Sequence, residues 1–195
     1  MILFYSPGAC SLADHIALHE AGLDFDRIRV DLKTRTTETG QDYLTVSPKG
    51  YVPALQLDDG AVLTENIAIL SWISDQSAGM IPPGALGRYR LLEMMAFIST
   101  EIHKGFKPYF TPGTSDEAKA AAGETISKRL GFLAERMDGL FLFGETFTVA
   151  DAYLFVMLRW AARVGVSIPE PLPAWFERVK PRPSVKLALE HEGLT

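Results

Sequence analysis

The chain has 195 residues, 47% hydrophobic and 22% charged, with a formal net charge of -5 and one cysteine. That is enough chain for one large domain or two small ones, and its acidic balance argues against a nucleic-acid partner, which would usually meet a basic face. One cysteine excludes an internal disulfide scaffold and suits a reducing compartment. There is no signal-peptide pattern and no apolar run near the ~18 residues of a membrane span, so a cytoplasmic protein without a membrane partner is expected.

The run "ILFY" at 2–5 reads as a strand, stopped by Ser6-Pro7-Gly8. From Ser11 the apolar spacing changes to that of a helix, carried by Leu12, Ile16 and Leu18 and ended by Gly22, with Ser11 and Asp14 spaced as a capping box. "FDRIRVDL" alternates and predicts a second strand, the threonine-rich stretch 33–40 a loop, and "DYLTV" one or two helical turns. "PALQL" and "AVL" flank Asp58-Asp59-Gly60, a hairpin signal, and a helix follows over 65–76. This order fits a small mixed α/β sheet.

The proline- and glycine-rich stretch around 78–87 reads as a linker, and strand signals vanish beyond it. Helices are expected over 89–106, 116–137, 149–164, 174–179 and 184–191, with Thr148 and Asp151 capping the third of these. The predicted organisation is an α/β domain at 1–77, a linker at 78–87 and an all-α domain at 88–195.

Cys10 stands between a strand and a helix start. A helix N-terminus offers unpaired N–H groups and partial positive charge, which favour the thiolate. The alternative is a small buried hydrophobe. Position 13 is alanine, so a Cys-x-x-Cys redox pair is excluded. Val52-Pro53 opens a strand; the statistics of X-Pro bonds favour trans, whereas a cis bond would present the Val52 backbone to an extended peptide. Glu65 and Asn66 lead into a helix and suit either ordinary capping or an anion at the helix start, with Glu65 positioned to hold an ammonium group. His15 and His19, four apart, present two imidazoles on one helix face, but no third ligand is evident and no metal is expected. His103 alone reads as a packed polar residue.

Four stretches in order, "YSPGACSL", "GQDYLTVSPKGYVPALQLDDGAVLTENIAI", "EIHKGFKPYF" and "TVADAYLF", resemble the bacterial glutathione transferases of the beta class over nearly the whole chain. The resemblance implies a thioredoxin-like N-terminal domain, an all-α helical C-terminal domain and a homodimer. It implies a cis Val52-Pro53 bond, with the Val52 backbone pairing with the cysteinyl unit of glutathione. It implies that Glu65 and Asn66 hold the γ-glutamyl end, that Arg35 stands near the glycine end where lysine is common, and that Cys10, His103 and Lys104 lie around the thiol and the rest of the peptide. Two positions depart from the pattern: Ala96, where asparagine is frequent, and Asn66, where a small residue is usual.

The expected activity is conjugation of the glutathione thiolate to a hydrophobic electrophile. Glutathione is then a co-substrate, and Cys10 and His103 are the catalytic candidates. The alternatives are glutathione-dependent thiol exchange or reductive dehalogenation through a Cys10 mixed disulfide, and non-catalytic carriage of apolar ligands. Tyr109, Phe110, Trp160 and Val164 are the candidate lining of the apolar pocket.

Overall fold

The computed structural model describes residues 1–137 and 139–195. By internal contact they form two compact units, Met1–Met80 with Pro181–Thr195, and Ile81–Lys180.

The first unit holds a five-stranded sheet in the order β3-β2-β1-β4-β5, built from β1 (Ile2–Tyr5), β2 (Asp26–Asp31), β3 (Thr36–Thr37), β4 (Ala54–Gln56) and β5 (Val62–Thr64). β1 and β2 run parallel, joined through α1 (Leu12–Glu20), and the other pairs are antiparallel. Leu3, Phe4, Leu55 and Ile16 are fully or almost fully buried in its core. The hairpin forms where Asp-Gly predicts it: Gly60 adopts φ 87, and Leu57 N–H donates to the Ala61 carbonyl at 2.8 Å. α2 (Asn66–Gln76) follows, and "DYLTV" contains one 3-10 turn, Tyr43–Thr45.

Three expectations change here. The stretch 33–40 contains β3, paired Val30 to Thr37 and Asp31 to Thr36; a two-residue polar edge strand carries no alternation to read. Ser11 and Asp14 form no capping box. Ser11 already has helical angles (φ -57, ψ -19), whereas an N-cap is extended; its hydroxyl turns back to Ser6 N–H and carbonyl at 3.3 and 3.4 Å. Finally, the helical part was expected to run through 195, but α8 (Pro183–His191) packs on α1 and belongs with the first unit. Val185, Ala188 and Leu189 are its apolar stripe, and Arg182 and Ser184 both hydrogen-bond the Glu20 carboxylate.

The second unit is helical: α3 (Gly87–Phe97), α4 (Lys107–Phe110), α5 (Asp116–Ala134), α6 (Val149–Val164) and α7 (Leu172–Val179). The helix expected over 89–106 widens into a π-helical segment, Ile98–His103, and tightens into a 3-10 turn, Lys104–Phe106, before α4. α6 is buried at every position from Val149 to Leu158, as an apolar helix enclosed on all sides should be. Asp151, fully buried, accepts from Thr148 N–H and hydroxyl at 2.8 and 2.7 Å and from Leu142 N–H at 2.8 Å. Among the described residues no helix is long and apolar enough to cross a membrane.

Candidate active site

In the first unit, the chain leaves β1 through a turn in which Gly8 adopts φ 70, a backbone region that glycine reaches without a Cβ penalty. Gly8 N–H donates to Glu192 Oε2 at 2.8 Å, so a carboxylate just past α8 pins the turn that delivers Cys10. The Cys10 carbonyl accepts from Ala13 N–H at 3.0 Å and from Asn66 Nδ2 at 2.9 Å. The same amide nitrogen donates to Asp14 Oδ2 at 2.8 Å. Asn66 thus ties the start of α2 to the start of α1.

The Cys10 thiol donates to the Val52 carbonyl at 3.5 Å. The pull of the helix start on this sulfur is opposed by its surroundings. Backbone N–H groups of Cys10 and Ser11 do pull the pKa down, but burial of the sulfur and the charge of Asp14 outweigh them and push it up to about 12. Two N–H groups at a helix start do not offset the loss of water around a sulfur anion. Burial also drives the Asp14 carboxyl well above the usual carboxylate range, and its Oδ1 has no hydrogen-bond partner among the described residues.

Val52-Pro53 is cis, as the resemblance implies and the trans statistics do not. The loop before it is framed from two sides. Tyr43 Oη donates to the Tyr51 carbonyl at 3.1 Å. The exposed Arg35 side chain lies over Gly50, where an added Cβ would sit 3.0 Å from Nε. Glu65, at the start of α2, has φ 75 and ψ 126. A left-handed conformation costs a non-glycine residue of order 1–3 kcal/mol and persists where the surroundings enforce it. Its carboxylate is exposed and accepts from Lys49 Nζ at 2.6 Å, and that ammonium also reaches Thr64 Oγ1 at 3.0 Å. A primary ammonium is therefore already seated on Glu65. Of the residues singled out in this part of the sequence, Cys10, Val52, Pro53, Asn66, Glu65 and Arg35 converge on one neighbourhood.

In the second unit, His103 Nδ1 and Tyr153 Oη are 2.6 Å apart. Burial, and secondarily the Lys104 charge, lower the His103 pKa to about 4, so the imidazole is neutral at physiological pH. Its ring meets Trp160 edge-on at 5.0 Å between centroids, and Trp160 meets Phe110 at 5.0 Å and Phe106 at 5.5 Å. His103, Phe110 and Trp160 thus form one aromatic group, which Tyr109 joins through Phe106 at 6.3 Å. Lys104 is exposed and Val164 half-buried.

Sequence reasoning missed Lys49, Tyr153 and Glu192. Lys49 lies inside a quoted stretch but has no local pattern that distinguishes it from any surface lysine. Glu192 reaches Gly8 across 184 positions and His15 across 177, separations no local motif reports. His191 was missed for the same reason: it supplies the third imidazole beside His15 and His19.

Residues 9–76 match the glutathione S-transferase N-terminal domain and residues 97–183 the glutathione S-transferase C-terminal domain. Glutathione S-transferase GstA of Escherichia coli O157:H7 is 44% identical over 200 residues, covering all of both chains. The beta-class glutathione S-transferase of Sphingomonas chungbukensis is 53% identical with a TM-score of 0.91, again over all of both chains. A sphingomonad glutathione S-transferase solved in complex with glutathione is 51% identical, with a TM-score of 0.91 and full coverage of both chains.

Proposed function

The chain belongs to the glutathione S-transferase family, and from that premise we propose that it joins glutathione to an electrophilic small molecule. The observation that carries the reading is the Cys10 thiol facing the Val52 carbonyl at 3.5 Å. Sulfur chemistry and an extended-peptide contact then fall side by side, with Glu65 at the start of the adjoining α2.

A tripeptide of the glutathione kind has an ammonium at one end, a thiol in the middle and a carboxylate at the other. Glu65 takes the ammonium, displacing Lys49 Nζ from its 2.6 Å contact. The Val52 backbone pairs with the middle residue. Arg35 faces the glycine carboxylate. Residues 1–77 thus hold glutathione.

The Cys10 pKa of about 12 favours a neutral S–H at physiological pH. Such a group donates a hydrogen bond to the glutathione thiolate and lowers its proton affinity. The thiolate then attacks the electrophilic carbon: an S–C bond forms, the carbon–halogen bond breaks, and halide departs with the electron pair. The thiol proton passes to solvent. Covalent exchange through Cys10 is disfavoured, since it needs the anion. His103, neutral and held by Tyr153, is suited to hydrogen bonding and not to supplying a charge. Phe110, Trp160, Tyr109 and Val164 are the apolar surface we assign to the electrophile, and Lys104 a peptide contact. The protein acts as a cytoplasmic homodimer in this reading.

Incubation with glutathione and a chlorinated nitroarene tests the proposal, beside a parallel assay with a glutathione mixed disulfide. Turnover of the nitroarene supports conjugation. Turnover of the disulfide alone would replace it with exchange, and turnover of neither would leave a carrier.

A further inference from the structure

We propose that His15, His19 and His191 form a binding site for a divalent transition-metal ion of the Zn2+ class, clamping α8 onto α1. Their ligand nitrogens all lie within 4.8 Å of one another. His191 Nδ1 is 3.4 Å from His15 Nε2 and 3.3 Å from His19 Nε2. Zinc–nitrogen bonds of about 2.0–2.1 Å in a tetrahedron place neighbouring ligand atoms about 3.3–3.4 Å apart. Two of the three edges therefore already have the length the ion requires. Three imidazoles leave a fourth position for water, and His19 and His191 are only half-buried, so the site is open to solvent.

The orientation of His15 supports the same reading. Its Nδ1–H donates to Glu192 Oε1 at 2.9 Å, both side chains being fully buried. A carboxylate on the far nitrogen of an imidazole fixes the tautomer and raises the basicity of the other nitrogen, as in carboxylate–histidine–zinc arrangements. With Nδ1 protonated, neutral His15 turns a lone pair on Nε2 towards its neighbours. His191 Nδ1 then faces both His15 Nε2 and His19 Nε2 with at most one proton. No neutral tautomer gives each short contact a proton of its own, whereas one cation satisfies three lone pairs together.

Phe25 closes the cluster on one side, with ring centroids 5.6 Å from His15 and 4.9 Å from His19, and Tyr5 packs on His15 at 5.7 Å. The charged groups acting here are Glu192, Glu190 and the opposing Arg27. Imidazole ligands suit Zn2+, Cu2+ and Ni2+ and disfavour Mg2+ and Ca2+.

The test uses tag-free protein stripped with a chelator, in wild-type and Cys10→Ser forms so that the thiol is removed as a competing ligand. Zn2+ is titrated by calorimetry, and Co2+ by its visible absorption. The expected result is one ion per chain in both forms, with a Kd below about 10 μM, and a melting temperature that rises with added Zn2+. His19→Ala and His191→Ala each remove a ligand and should weaken binding about a hundredfold or more. Should His191→Ala fail to fold, the His19 pair decides: His19→Asp keeps a ligand oxygen and should stay within about tenfold of wild type while His19→Ala does not. Absence of binding in wild type, or unchanged binding in His19→Ala, would overturn the site.

Discussion

The side-chain amide of Asn66 donates to the backbone carbonyl of Cys10 at 2.9 Å and to the buried Asp14 carboxyl at 2.8 Å. One side chain therefore ties the start of α2 to the start of α1 beside Cys10. Asn66→Ala leaves a buried acceptor without its donor and should cost about 1–3 kcal/mol of stability. Asn66→Asp, which puts an acceptor against an acceptor, should be worse. Chemical denaturation of the two variants checks this; equal stability to wild type would remove Asn66 from the scaffold of the site.

Cys10→Ser should keep conjugation within about tenfold of wild type, because a hydroxyl can supply a hydrogen bond that one decade of rate prices at ~1.4 kcal/mol. Exchange with a glutathione mixed disulfide should be lost, since it needs sulfur. Because the pKa is pushed up to about 12, wild-type Cys10 should react with iodoacetamide at pH 7.5 at least about a hundredfold more slowly than an unperturbed thiol. Rapid labelling, or loss of conjugation with glutathione still bound, would mean that Cys10 acts as a nucleophile.

Glu65→Gln should weaken glutathione binding about ten- to hundredfold, the worth of a hydrogen bond between charged groups. The loss should vanish for a glutathione analogue lacking the α-amino group, which has nothing to place where Lys49 Nζ sits at 2.6 Å. Calorimetry on both ligands reads the difference, and an equal loss for each would assign Glu65 a structural role only.

Asp151→Ala removes the acceptor of the Thr148 N–H, the Thr148 hydroxyl and the Leu142 N–H at the head of α6. The expected cost is about 2–4 kcal/mol, visible as a lower melting temperature, with glutathione affinity unchanged. Wild-type melting would refute the role.

His103 gives a pH dependence of defined sign. Its folded pKa, about 4, lies below the ordinary 6.5, so the unfolded chain takes up the proton first as pH falls. The stabilisation of the neutral ring is complete above about pH 6.5 and is lost between there and pH 4. Lowering the pH from 7.5 to 5 should cost wild type about 1 kcal/mol more than His103→Gln, after allowance for partial exposure. Parallel pH profiles for the two proteins would contradict the neutral imidazole.

Much of this architecture is legible in local pattern. "ILFY", the Asp-Gly hairpin and the α6 span emerge where spacing and turn chemistry put them. Local pattern failed where a distant partner decides. Thr36–Thr37 is a strand only because β2 lies beside it. Ser11 does not cap because its own backbone is already helical and its hydroxyl turns back to Ser6. The thiol of Cys10 follows burial and Asp14 more than its helix start. Glu192 and His191 reach the first helix across most of the chain.

The return of Pro181–Thr195 to the first unit has a consequence for the order of synthesis. A ribosome emits the whole sheet early, yet the carboxylate that anchors the Gly8 turn and shields His15 emerges only after all of Ile81–Lys180. The part of the protein made first is thus finished last. A nascent chain stopped by premature termination near position 180 would carry a complete set of strands around an unbraced cysteine loop, and would be open to proteolysis there.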